Sequence, residues 1–142
     1  MNSNTKPVRW GIVGLGWVAV DFVGPAMLKS PGSQIVACLG SSPEKSKAYA
    51  EKFGVPRVHT SLQAMMNDPE VDAVYIALPN AMHYEAVLAG AAAKKHMLCE
   101  KPFAMHAGHA REVVQYGLAT ADPAPALPVA HDLGDLADGL LA

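Results

Sequence analysis

At 142 residues the chain can form one domain with a complete hydrophobic core, and 51% hydrophobic against 17% charged residues is a globular composition. A net charge of −2 argues against an electrostatic nucleic-acid binder. No apolar run reaches the ~18 residues of a membrane span, so neither nucleic acid nor a membrane is an expected partner. The polar start, Met1 to Lys6, has no apolar signal-peptide core and reads as a disordered tail. Cys38 and Cys99 each close an apolar strand-like run and read as buried free thiols of a reducing compartment. A cytoplasmic protein is the expectation.

In chain order, Arg9–Val13 reads as a short buried strand, followed by a glycine pair, Gly14 and Gly16. A helix is expected from Val18 to Lys29, with Gly24-Pro25 ending its first turns or kinking it. Pro31-Gly32 is a turn, and Gln34–Leu39 is rich enough in Ile and Val for a second strand. Pro43 suits the first turn of a helix running over Glu44–Phe53, which Gly54 and Pro56 stop. Arg57–His59 is a candidate short strand. Thr60 or Ser61 caps a helix ending near Asn67. Asp72–Leu78 is a strong apolar strand closed by Pro79-Asn80. A helix follows over about His83–Lys95, then a strand over His96–Cys99, and a helix over about His106–Ala119.

Strands and helices therefore alternate with short connections. The expected fold class is α/β, a three-layer, Rossmann-like, doubly wound parallel sheet over residues 7–121. Several strands are continuous apolar runs, as expected where both sheet faces are buried. The remaining residues, 122–142, form a Pro/Ala/Asp-rich tail with a possible sixth strand at 127–131. No Lys or Arg follows Arg111.

Ligands of such sheets bind beyond the carboxyl ends of the strands, and the polar and glycine-rich positions gather there. The loop Gly14, Leu15, Gly16, Trp17 and Val18 joins a strand to a helix start. Its glycines allow a tight turn and close approach, and the helix start offers backbone N–H groups and its positive dipole end to a pyrophosphate. A GxGxxG-like pattern alone is weak, and here Ala19 replaces the third glycine. At the end of the second strand, Gly40-Ser41-Ser42 with Lys45 lacks the carboxylate that usually holds the ribose 2′-hydroxyl of NAD. Two hydroxyls and a cation could hold a 2′-phosphate, which favours NADP over NAD. The competing reading is that the serines only cap the next helix.

Leu78, Pro79 and Asn80 lead into a helix carrying His83 in its first turn. Asn80 is either a cofactor contact or an N-cap, and His83 either a ribose or phosphate contact or a surface histidine. Glu100-Lys101-Pro102 is sharper. A lysine at this strand end can reach the nicotinamide face, where the oxidised cationic ring disfavours its ammonium form. It could then take a proton from an alcohol as hydride leaves, or return it in reduction. Glu100 could orient it or bind a ribose hydroxyl. The alternative is a solvated Glu–Lys pair on a loop. The other histidines show no metal-ligand spacing, and no metal is expected.

The combined pattern resembles the glucose-fructose oxidoreductase / inositol dehydrogenase / MocA (Gfo/Idh/MocA) family of NAD(P)-dependent oxidoreductases. The residues that carry it are Trp10-Gly11-Ile12-Val13-Gly14-Leu15-Gly16 with Ala19, the run Asp68–Asn80, His83, and Glu100-Lys101-Pro102-Phe103-Ala104. The resemblance covers about residues 7–116. It implies a Rossmann domain that binds NADP or NAD, and Lys101 as the catalytic lysine near nicotinamide and substrate. It also implies a cis Lys101-Pro102 bond as a candidate, and sugars, polyols or related secondary alcohols and ketones as substrates.

Family members continue into a second α/β domain that supplies the substrate pocket, a catalytic histidine and the oligomer interface. Leu127–His131 is similar to the family's sixth strand, slightly late in register. Asp132–Asp138 is faintly similar to a second-domain motif in which Asp135 stands at the histidine's place. The expectation is a truncated form without the second domain, with little turnover of its own and possible homo-oligomerisation. The alternative is a stand-alone dinucleotide-binding or partner-binding module without turnover.

Overall fold

The computed structural model describes residues 6–120. In it β1 (Val8–Val13), β2 (Ser33–Leu39), β3 (Arg57–Val58), β4 (Ala73–Ile76) and β5 (His96–Cys99) form one sheet in the order β3-β2-β1-β4-β5. Every pairing is parallel. A π-helical segment (Val18–Val23) leads into α1 (Gly24–Lys29). These are followed by α2 (Pro43–Phe53), α3 (Leu62–Met66), a 3-10 turn (Asn80–Met82), α4 (His83–Ala92) and α5 (Ala107–Thr120). The expected sixth strand at 127–131 and the tail around it lie outside the described residues.

The strand sequences dictate two buried faces. Side chains alternate across a strand, so neighbouring apolar residues must enter opposite layers. Ile12, Ile35, Cys38 and Tyr75 pack with Ala19, Tyr49 and Phe53 on one side. Val13, Val36, Val74 and Ile76 pack with Met65, Met66, Ala86 and Val87 on the other. Each fully buried aliphatic side chain contributes ~1.5–3 kcal/mol, and this double burial is what keeps the central strands in a three-layer sandwich.

Local signals set the helix ends. The Ser42 hydroxyl accepts the Lys45 backbone N–H at 3.2 Å with Pro43 in the first turn. Gly54 closes α2 in the left-handed region at φ 65°. Ser61 caps α3 in the same way, accepting from Ala64 N–H at 3.1 Å.

Gly24-Pro25 ends the first turns as expected: the π segment stops at Val23, the Gly24 N–H bonds the Ala19 carbonyl, and Pro25 falls in the first turn of α1, where its missing N–H costs nothing. Two expectations are corrected. The fourth strand is shorter than Asp72–Leu78, because Asp72 turns to Arg9 and Leu78 already belongs to the following loop. The next helix opens with a 3-10 turn and ends at Ala92, with Lys94 at φ 54°.

At the amino ends of the strands the polar groups satisfy one another. Arg9 donates to Asp72 through its backbone N–H (2.9 Å), Nε (3.0 Å) and Nη2 (2.6 Å), and to Glu70 through Nη1 (2.9 Å). The Arg9 hydrogen bonds hold the Asp72 carboxyl down at about 2. Lys95 Nζ donates to the carbonyls of Asp68 and Val71, each at 2.6 Å. These groups border an open cavity of about 900 Å³.

Candidate dinucleotide site

At the opposite, carboxyl edge, the loops after β1, β2, β4 and β5 line two adjoining cavities. The larger, about 620 Å³, lies between the Gly14–Trp17 loop, Leu39–Ser41 with Lys45, and Thr60–Leu62, with Leu78, Pro79 and Met82 along its wall. The smaller, about 220 Å³, runs from Gly16–Ala19 past Ala77, Leu78 and Asn80 to Glu100 and Lys101. Gly16, Trp17, Ala77 and Leu78 border both. The two cavities are therefore halves of one extended cleft bent around the glycine loop.

The two glycines serve it differently. Gly14 sits at φ 91°, and a Cβ there would lie 2.4 Å from the Ala77 carbonyl oxygen. Only glycine lets the loop after β1 lie against the loop after β4. At Gly16 a Cβ would meet nothing within 4 Å, so the backbone there faces open space. The helical segment begins at once, its Val20 N–H reaching the Gly16 carbonyl at 3.0 Å. The N–H groups ahead of it have no intrahelical acceptor. Bare backbone, a helix start and an open cleft are what a pyrophosphate requires, so the residues present fit a dinucleotide.

At the end of β2 the two serines divide. Ser41 is exposed and lines the larger cavity together with the exposed Lys45. Ser42 does not border it; its hydroxyl is committed to the cap of α2, which corrects its expected cofactor role. Asn80 makes no side-chain cap, so the N-cap reading of it fails, and its exposed side chain borders the smaller cavity.

His83 is corrected most. It is fully buried, with Nδ1 2.8 Å from the Pro102 carbonyl and Nε2 2.8 Å from the Leu78 carbonyl. Both ring nitrogens are engaged within the protein, and neither is left for a ribose or phosphate. Glu100 is also held: the Tyr75 hydroxyl donates to one carboxylate oxygen, and the other accepts the Lys101 backbone N–H at 3.3 Å. Burial, and then the Glu100 hydrogen bond, push the Tyr75 phenol above its ordinary range, so it remains a donor. Lys101 itself is exposed at the mouth of the smaller cavity, and the Lys101–Pro102 bond is cis, as the resemblance implied.

The sequence reading missed Tyr75, Thr60, Leu62 and Met82. Tyr75 looks like any strand aromatic, and no local signal marks Glu100 as its partner. Among the described residues, no group of three His, Cys, Asp or Glu converges as a metal site, and no helix is long and apolar enough to cross a membrane.

A profile of the Gfo/Idh/MocA group, an oxidoreductase family with an NAD-binding Rossmann fold, matches residues 8–120. Among curated relatives, a 1,5-anhydro-D-fructose reductase from Ensifer adhaerens is 41% identical over 106 residues, covering 75% of this chain and 32% of its own. The trans-1,2-dihydrobenzene-1,2-diol dehydrogenase of Mus musculus is 38% identical over 108 residues, at the same two coverages of 75% and 32%. Among solved structures, a biliverdin reductase from Synechocystis in complex with biliverdin and NADP+ superposes with a TM-score of 0.75 at 35% identity, over 81% of this chain and 36% of that one. A 3-ketoreductase from Actinomadura kijaniata in complex with NADP and TDP-benzene gives a TM-score of 0.76 at 28% identity, over 81% and 35%. The chain spans about a third of the length of the curated relatives it matches.

Proposed function

The chain belongs to the Gfo/Idh/MocA oxidoreductase family, and from that premise we propose that it binds NADP(H), or NAD(H), across its carboxyl-edge cleft. There it serves hydride transfer to or from a secondary alcohol or ketone of a sugar, polyol or related compound. The observation that carries the reading is the pair of cavities joined at Gly16 and Trp17. One half is lined by a hydroxyl and a cation, Ser41 and Lys45, and the other opens at Lys101. A two-headed ligand with a pyrophosphate between its heads matches that outline.

The adenosine half lies against Leu39–Ser41 and Thr60–Leu62. Lys45 supplies the charge that a 2′-phosphate needs, and among the described residues no carboxylate borders that cavity to repel it. The pyrophosphate takes the backbone of Gly16, Trp17 and Val18. Leu15, Leu78 and Pro79 shape the wall between the halves, with Asn80 and Glu100 at the far end. When bound, the nicotinamide supplies the hydride donor or acceptor. Lys101 exchanges a proton with the substrate's oxygen in this reading, and the Tyr75 hydroxyl holds the neighbouring Glu100 carboxylate.

Substrate class rests on the reductases and dehydrogenases this chain is similar to. Trp17 tests the cofactor reading, because it is 68% exposed and borders both halves. Titration with NADPH is expected to quench its fluorescence saturably, with NADH weaker, and the response should vanish in Trp17→Phe. A folded protein that responds to neither dinucleotide overturns the proposal.

A further inference from the structure

His83 is the largest polar side chain fully buried among the described residues, and its ring bridges two loops that are far apart in sequence. Nδ1 faces the Pro102 carbonyl after β5, and Nε2 faces the Leu78 carbonyl after β4, each at 2.8 Å. A neutral ring has one N–H and serves one of these carbonyls; a doubly protonated ring serves both. The doubly protonated ring ties both loops by hydrogen bonds; the neutral ring bonds one loop and stands as a buried spacer against the other. They are the loops that bound the half of the cleft ending at Lys101.

The second anchor of the same loop lies one residue before the lysine. The buried Tyr75 hydroxyl holds the Glu100 carboxylate. Lys101 is thus flanked by two fixed neighbours, residue 100 through its side chain and residue 102 through its carbonyl, while its own side chain is exposed. His83 borders the smaller half but not the Ser41–Lys45 half, which meets the histidine's two carbonyl partners only at Leu78.

We propose that His83 is a positioning residue. It clamps the Leu78 and Pro102 backbones so that Lys101 and the nicotinamide half hold their place, and it bears on the adenosine half only through Leu78, which borders both. The inference rests on the cofactor reading above, and deepens it by assigning the two ends of the cleft to different supports.

The test compares a whole dinucleotide with its adenosine end. NADPH and 2′,5′-ADP are titrated by calorimetry into the full chain and into His83→Phe and His83→Asn, with ADP and NADH used if NADH is the dinucleotide bound. A clamp predicts that His83→Phe weakens the dinucleotide by about tenfold or more while the adenosine fragment loses much less. His83→Asn retains an N–H donor and is expected to recover part of the loss. A purely structural histidine would weaken both ligands together, and that result, or an unchanged dinucleotide affinity, overturns the proposal. If His83→Phe does not fold, the same contrast is read on His83→Asn: loss confined to the dinucleotide supports the clamp, and equal or absent losses overturn it. A wild-type chain that binds neither ligand overturns the cofactor reading, and the clamp with it.

Discussion

The two ends of the sheet are both rich in charged residues, and the larger cavity is at the wrong one. At the amino edge, about 900 Å³ is bordered by Arg9, Asp72 and Lys95, whose polar atoms are bound to each other or to backbone carbonyls. At the carboxyl edge the cavities are smaller, but Ser41, Lys45 and Lys101 border them, and among the described residues neither lysine has an ion-pair partner. A cluster whose charges are mutually satisfied holds a fold together. One whose polar groups face an open cleft has binding capacity left. Arg9, Asp72 and Lys95 are thus spent on the fold while Lys45 and Lys101 are not, and volume does not decide between the edges.

The sharpest break of the comparison is at Gly14. Its φ of 91° and the Ala77 carbonyl lying where a Cβ would stand leave no room for a side chain. Gly14→Ala is expected to cost about 3 kcal/mol in chemical denaturation and to abolish dinucleotide binding. Gly16→Ala, where a Cβ meets nothing, should retain the fold and weaken binding alone. Lys45→Glu sharpens the comparison next. It should weaken NADPH about tenfold, or about 1.4 kcal/mol, leave NADH nearly unchanged, and not alter the melting temperature.

Asp72→Asn is the reverse case at the amino edge. It should lower the melting temperature by about 5 °C at neutral pH and leave dinucleotide affinity as it was. Arg9 depresses the Asp72 carboxyl to about 2 in the folded chain, against ~3.9 when unfolded. A depressed acid contributes stability that is complete above its unfolded value and lost as pH falls through its folded value. The gap between wild type and Asp72→Asn should therefore close as pH falls from about 4 to about 2. The smallest effect is expected for Ser42→Ala. Loss of the α2 cap should cost about 1 kcal/mol, with no change in cofactor affinity, because that hydroxyl faces the helix rather than the cleft.

Much of this was legible in the sequence because its punctuation is local. Gly54, Pro43, Ser61 and the apolar runs mark element ends through backbone preference alone, and the alternation of strand and helix then implies the parallel sheet. The placement of Gly14, Gly16, Ser41 and Lys101 was legible for the same reason, because all follow strand ends. What failed depends on contacts between distant segments. Ser42 could be told from Ser41 only once α2 was in place, and His83 could be recognised as buried only once the Leu78 and Pro102 loops had met around it. Pro25 was legible in the same local way, since it marks the change from the π segment to α1.

The central claim is that the ligand occupies the carboxyl edge and not the larger amino-edge cavity. Amide hydrogen exchange with and without saturating NADPH tests it most directly. Protection is predicted at Gly16–Val18 and Asn80–Met82, with Arg9 and Lys94–His96 unchanged. Protection at the Arg9 and Lys95 edge, or none at the glycine loop, would contradict the account.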